Sequence, residues 1–184
     1  GYKWTIHLNP NCKWTDGEPC TAEDWVWTLE TLTDPDFGVY ESTYYMAQMQ
    51  GTSDTGLREE GQELGVEYVD EYTFNIYWKT PMAVVTFTGT SSYFYRAMPK
   101  HLLEDIPVSE LGDHDFWNHP VGNGCCTFVD EPVKGEQIVL KANPDFYLGA
   151  PSFENLTFIV VSQANAANAL LNGEIDNYYP SVTT

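Results

Sequence analysis

Tyr2, Trp4, Ile6 and Leu8 alternate with Lys3, Thr5, His7 and Asn9 at the start of the chain. A period of two sends successive side chains to opposite faces, so this segment is predicted to be a half-buried strand. Asn9-Pro10-Asn11 ends it, and Asp16-Gly17 then forms a turn. Beyond the turn the period changes. Trp25, Leu29 and Leu32 recur at i, i+4 and i+7, with Val26 widening the stripe, which predicts an amphipathic helix. Thr21-Ala22-Glu23-Asp24 supplies its start: the Thr21 hydroxyl can accept from a free backbone N–H, and the acids suit the positive helix end. Asp34-Pro35 stops it.

Residues 37–51 are aromatic and polar and read as a short helix or an irregular connector; residues 52–62 read as a surface loop. A hairpin follows, with Val66 to Val69 leading through Asp70-Glu71 into a strand on which Phe74, Ile76 and Trp78 share one face. Pro81 is placed to open a short helix over residues 82–88. Residues 93–98 suit a short strand, and residues 100–118 suit short helical pieces around Pro107. Strands are predicted near residues 125–130 and 136–142. Leu156-Thr157-Phe158-Ile159-Val160-Val161 is almost continuously apolar and is expected to be a strand buried on both faces. A small-residue helix over residues 163–172 ends at Gly173. With Glu174-Ile175-Asp176 after it, the segment suggests a βαβ crossover. The order of elements gives a mixed α/β chain.

Charge narrows the partners. Eight Lys and Arg stand against 27 Asp and Glu, a formal net charge of -19 over 184 residues. Nucleic acid and anionic membrane surfaces are held by cationic side chains, so both are disfavoured. The acidity reads as a solvated surface or as steering of cationic solutes. With 42% hydrophobic residues a packed core is expected, and no apolar run is long enough to span a membrane. The N-terminus has no basic and apolar leader, so the chain is either cytosolic or begins after an export signal.

No cofactor and no metal are expected. Cys12 and Cys20 flank a polar turn and are read either as a disulfide of an oxidising compartment or as free thiols. Cys125 and Cys126 are adjacent, rarely bridge each other, and are expected to be buried small hydrophobes. Neither pair has zinc-ligand spacing. His114 and His119 are too loosely spaced to specify a metal. Gly122-Asn123-Gly124 lacks the third glycine and the helix that a dinucleotide loop needs. Asp16 and Glu18 read as turn formers rather than an acid/base pair. Aromatic residues reach 15%, and the clusters Tyr40/Tyr44/Tyr45 and Tyr93/Tyr95 lie outside the regular strand patterns, so they are candidates for the wall of a ligand pocket.

The order of motifs carries a resemblance. Trp4-Thr5-Ile6-His7-Leu8, Lys13-Trp14-Thr15-Asp16-Gly17-Glu18-Pro19 and Thr21-Ala22-Glu23-Asp24-Trp25 come first. Val69-Asp70-Glu71-Tyr72-Thr73-Phe74, Met98-Pro99-Lys100-His101 and Pro120-Val121-Gly122-Asn123-Gly124 follow. Ile138 to Pro151, with its Asn143-Pro144-Asp145-Phe146-Tyr147 core, and Leu170-Leu171-Asn172-Gly173-Glu174-Ile175-Asp176 complete the set. In this order they resemble the extracellular solute-binding proteins of ABC importers for oligopeptides, dipeptides and nickel chelates. Where that family has a proline and an aromatic after the Gly-rich motif, this chain has Cys125-Cys126.

The resemblance implies a periplasmic-binding-protein-like fold, present in part. Residues 1–121 would be most of the small second domain, and residues 122–184 a segment of the first domain. It also implies a non-enzymatic, monomeric receptor for peptide or another small solute, docking on ABC permease subunits. Its place would be extracellular, as a cell-surface lipoprotein or in the periplasm. Ligand-facing residues are then expected among Tyr40, Tyr44, Tyr45, Tyr93, Tyr95 and Asn123. Two other classes compete: a carbohydrate-binding or glycan-processing domain, and a structural or adhesion domain.

Overall fold

The computed structural model describes residues 1–37, 46–83, 96–129 and 137–179. Strands β1 (Lys3–His7), β2 (Val66–Asp70) and β3 (Thr73–Tyr77) form an antiparallel sheet in the order β1-β3-β2. The register sets Trp4 opposite Ile76 and Ile6 opposite Phe74, so the alternation seen in the sequence becomes one apolar face. Phe74, Ile76 and Trp78 are buried on that face. Fully burying a side chain of this kind contributes about 1.5–3 kcal/mol. Helix α1 (Ala22–Leu32) covers the face: Leu29 is buried, and the Trp25 ring stacks on Phe74 at 5.8 Å.

The other face of the sheet is a polar ladder. Thr5 Oγ1 donates to Asn75 Oδ1 at 2.8 Å, and Asn75 Nδ2 donates to Glu67 Oε2 at 2.8 Å. Tyr77 also donates its hydroxyl to Glu67. The neighbouring His7 and Thr73 side chains pair at 3.2 Å.

Below the sheet, residues 46–65 form a tied connector. A short 3-10 turn (Met46–Gln48) delivers Met46 and Met49 to the core. Thr52 is buried at the base of the expected surface loop, its hydroxyl within 2.7 Å of the carbonyl oxygens of both Met46 and Met49. Gly51 has φ +77, and a Cβ there would stand 2.1 Å from the Glu63 carbonyl oxygen. Only glycine fits that position.

Two short helices, α2 (Lys100–Leu103) and α3 (Val108–Leu111), and a 3-10 turn (Asp115–Asn118) occupy the stretch around Pro107, as expected. Leu103 and Leu111 are buried with Phe37 and Met98 against the outer side of α1, contacting Trp27 and Leu32. Residues 96–98 are not the predicted strand: the Met98 N–H donates to the Thr28 hydroxyl of α1 at 2.8 Å, and no strand among the described residues pairs with them. Met82 and Ala83 are not helical, and the rest of the helix expected over residues 82–88 lies outside the described residues.

A second antiparallel sheet has the order β4-β5-β6, from Cys126–Phe128, Gln137–Ala142 and Asn155–Ile159. Helix α4 (Gln163–Leu171) follows. Its end is closed as the sequence suggests, with Gly173 at φ +71 and the Glu174 N–H donating to the Ala169 carbonyl at 2.8 Å.

Two expectations fail here. Strand β6 is not buried on both faces: Leu156, Phe158 and Ile159 are 38%, 53% and 44% exposed, and Val160 just beyond is 78% exposed. Among the described residues β6 pairs only with β5, antiparallel, and no layer covers it. The βαβ unit is also absent among them, since Glu174-Ile175-Asp176 forms no strand. A one-dimensional apolar run carries no information on which neighbours stand beside it.

Candidate functional site at the junction of the two sheets

The turn between β1 and α1 is where the first sheet meets the chain that leads into the second. Gly17, at φ +100, lets residues 12–20 fold back so that Lys13 and Pro19 face each other in an antiparallel bridge. This places Trp14 inward, buried with Cys12 and Cys20 against Ala97 and Val121. At the tip, Thr15 grips the Gly-rich segment from both sides. Its N–H donates to the Gly122 carbonyl at 2.8 Å, and its hydroxyl accepts from the Gly122 N–H at 3.3 Å. Asp16 accepts from the Glu18 N–H at 3.1 Å through one oxygen and meets His101 Nε2 at 2.8 Å through the other. These acids are turn formers, as read from the sequence.

Asp24 is the hub beneath the turn. Its side chain is buried, with 5% of the residue exposed, and it reaches three separate segments. One oxygen accepts from the Thr21 N–H at 2.8 Å, completing the capping box of α1, and from the Trp14 indole N–H at 3.4 Å. The other accepts from the Lys100 N–H at 3.0 Å. The sequence identified Asp24 only as an acid suited to a helix start; the reach to Trp14 and Lys100 is tertiary. The Lys100 ammonium lies 3.0 Å from Glu23 and 3.7 Å from Glu104, and the Glu23 carboxylate raises its pKa. Beside it an open, shallow depression of about 270 Å³ is lined by Glu23, Val26, Trp27, Glu30, Tyr68 and Lys100.

The cysteines fall in two environments. Burial raises the pKa of Cys12 and pushes that of Cys20 up to about 12. Cys125 and Cys126 are half-buried rather than buried, one just before and one at the start of the short strand β4, with their sulfurs 3.8 Å apart. Burial also raises the Cys126 thiol. His114 accepts from the Phe116 N–H at 3.2 Å, while the His119 ring packs on Phe128. The two imidazoles are therefore committed to separate local contacts. No cluster of potential metal ligands occurs among the described residues.

Similarity to known proteins extends over the whole chain. The family model for bacterial extracellular solute-binding proteins, family 5, middle region, matches residues 1–184. The chain belongs to this family. The periplasmic oligopeptide-binding protein OppA of Salmonella typhimurium is 30% identical over 184 residues, covering 96% of this chain and 32% of that protein. The structure of the oligopeptide-binding protein AppA of Bacillus subtilis, in complex with a nonapeptide, superposes with a TM-score of 0.75 at 25% identity, over 95% of this chain and 32% of AppA. NikZ of Campylobacter jejuni, in complex with Ni(L-His), gives a TM-score of 0.71 at 25% identity, over 95% of this chain and 31% of NikZ. The chain thus spans about a third of the length of the relatives it matches. The expected partial periplasmic-binding-protein-like fold is what the structure contains.

Of the expected ligand-facing residues in this family 5 chain, Tyr40, Tyr44, Tyr45, Tyr93 and Tyr95 lie outside the described residues. Asn123 sits half-buried at the junction, its amide Nδ2 donating to Cys20 Sγ at 3.4 Å. The family's solute-binding proteins bind rather than transform their solutes, and OppA, AppA and NikZ are named for oligopeptide or nickel–histidine binding. The glycan reading gains no support from them. No helix among the described residues is long and apolar enough to cross a membrane.

Proposed function

We propose that this chain is part of the solute-capturing component of an ABC importer for oligopeptides or dipeptides, working outside the membrane and delivering its solute to permease subunits. The observation that carries this reading is the family match along all 184 residues, joined to the oligopeptides named for OppA and AppA. In this reading the protein acts as a monomer. Residues 1–121 belong to a small domain, and residues 122–184 to a segment of a neighbouring one. The closed core around Trp78 on one side of the junction, and the open second sheet on the other, support that division.

Tyr40, Tyr44, Tyr45, Tyr93 and Tyr95 would contribute aromatic walls, and Asn123 a polar contact near the junction. Extended peptides suit such a site, because backbone hydrogen bonds supply affinity while aromatic pockets enclose side chains. No covalent step is involved.

Native mass spectrometry of the intact protein, purified without denaturant, tests the proposal. Bound masses differing by amino-acid residues are expected. A single small adduct would assign a metal chelate instead, as named for NikZ. An intact protein that carries nothing, and that gives no calorimetric signal with a peptide library, would overturn it.

A further inference from the structure

Cys12 and Cys20 stand directly across the bridge formed by Lys13 and Pro19. The rungs on either side of that bridge are made: the Cys20 N–H donates to the Cys12 carbonyl at 3.0 Å, and the Trp14 N–H donates to the Glu18 carbonyl at 2.8 Å. The Cys12 N–H itself turns to the Asn9 carbonyl at 2.9 Å, and opposed residues of an antiparallel pair have Cα atoms about 4.5–5.5 Å apart. That lies inside the range of about 4.4–6.8 Å that a disulfide spans. The two side chains lie in one buried cluster with Trp14, and the two residues are 8% and 2% exposed.

From this geometry we propose that Cys12 and Cys20 form a structural disulfide when the protein matures in an oxidising compartment. The bond would staple the turn at its base. Everything the turn holds lies between or beside the two sulfurs: Trp14 in its pocket, Thr15 on Gly122, Asp16 on His101, and Thr21 capping α1. Asn123 keeps its contact, since a disulfide sulfur still accepts weakly.

Burial fixes the timing. The thiolate is the attacking species, and burial holds both folded thiols in the protonated form. Oxidation therefore belongs to the unfolded or partly folded chain, where the thiols are exposed. A disulfide-bearing oxidant, protein or small molecule, supplies the exchange. One cysteine thiolate attacks the oxidant's S–S bond and expels one of its sulfurs as a thiolate. The second cysteine thiolate then attacks the mixed disulfide and expels the other. The two cysteines lose two electrons and two protons, and the oxidant leaves as a dithiol or as two thiols. Once folded, the same burial shields the bond from reductants.

The oxidising compartment rests on the location proposed above, so the test imposes the compartment. The intact protein is exported by a fused secretion signal, denatured in iodoacetamide and digested with and without reductant. A parallel sample is unfolded, reduced and refolded in oxidised and reduced glutathione. In both samples the peptides holding Cys12 and Cys20 are expected linked, unalkylated and lighter by two hydrogens, taking two alkyl groups only after reduction. The double variant C125S/C126S should keep the link, and C12S should leave Cys20 fully alkylated. Free Cys12 and Cys20 in either sample, or a link from either to Cys125 or Cys126, overturns the proposal. Recovery of the native protein from its own cytosol would instead overturn the location while leaving the pairing result intact.

Discussion

Asp24→Asn replaces one carboxylate oxygen by an NH2 group in almost the same volume, so its effect isolates hydrogen bonding. In the native structure one oxygen takes the Thr21 N–H and the Trp14 indole N–H, and the other takes the Lys100 N–H. An amide has a single acceptor oxygen. Whichever way the new amide turns, its NH2 faces at least one of these donors at close range. If the oxygen keeps Thr21 and Trp14, the Lys100 N–H is stranded; if it keeps Lys100, the capping box opens. A hydrogen bond to a charged acceptor contributes about 1.5–3 kcal/mol. Loss of an acid from the first turn of α1 adds about 0.3–1 kcal/mol. Together the substitution should cost about 2–4 kcal/mol. Urea unfolding of the intact protein should show a lower midpoint at unchanged slope, the signature of lost stability rather than a changed denatured state. Amide exchange at Lys100 should accelerate alongside. A loss below about 0.5 kcal/mol, the scale of a neutral surface change, would refute the role of Asp24 as a buried hub.

Two further perturbations test the fold around the first sheet. Gly51→Ala meets both a left-handed backbone, costing about 1–2 kcal/mol, and the Glu63 carbonyl at 2.1 Å, whereas Gly17→Ala meets only the former, since nothing lies within 4 Å of its Cβ position. Thermal unfolding should rank G51A well below G17A, and equal melting would count against the close approach. Glu67 is held below the usual carboxylate range first by the Tyr77 hydroxyl and then by the Asn75 amide. A depressed native pKa stabilises the fold above the unfolded pKa, and this is lost as pH falls through the native value. Glu67→Gln should therefore be less stable than the parent at neutral pH, with the gap closing in acid. A gap that widens in acid would reverse the assignment.

Local patterns made the first sheet legible. Trp4 and Ile6, then Phe74, Ile76 and Trp78, announce their faces by alternation, and the structure sets them opposite one another. The stripe on α1 and the stop at Gly173 were equally local. What failed was information about neighbours. The apolar run at Leu156 is the same string whether a second layer covers it or not, and here it stands exposed. Residues 96–98 are extended but bond to a helix hydroxyl instead of a strand. Asp24 looked like a capping acid because its other donors lie 10 and 76 positions away in the chain. The spacing of Cys12 and Cys20 left two readings open, and only the bridge between them set the two residues opposite each other in one buried cluster.

Strand β1 is completed by a partner far along the chain: Thr5 reaches Asn75 across 70 positions. The hairpin of β2 and β3 can form locally, within microseconds. The pairing of β1 with β3 must instead close a long loop before any contact rewards it, and such non-local pairings set slow folding rates. If the protein is exported as proposed, threading N-terminus first presents Trp4 and Ile6 well before Phe74 and Ile76 exist on the same side. Until then the apolar face of β1 is unsheltered. On the proposed export route a vulnerability of this sheet thus lies in the order of its arrival, and slowing translocation between residues 8 and 74 should raise aggregation more than slowing it after residue 78.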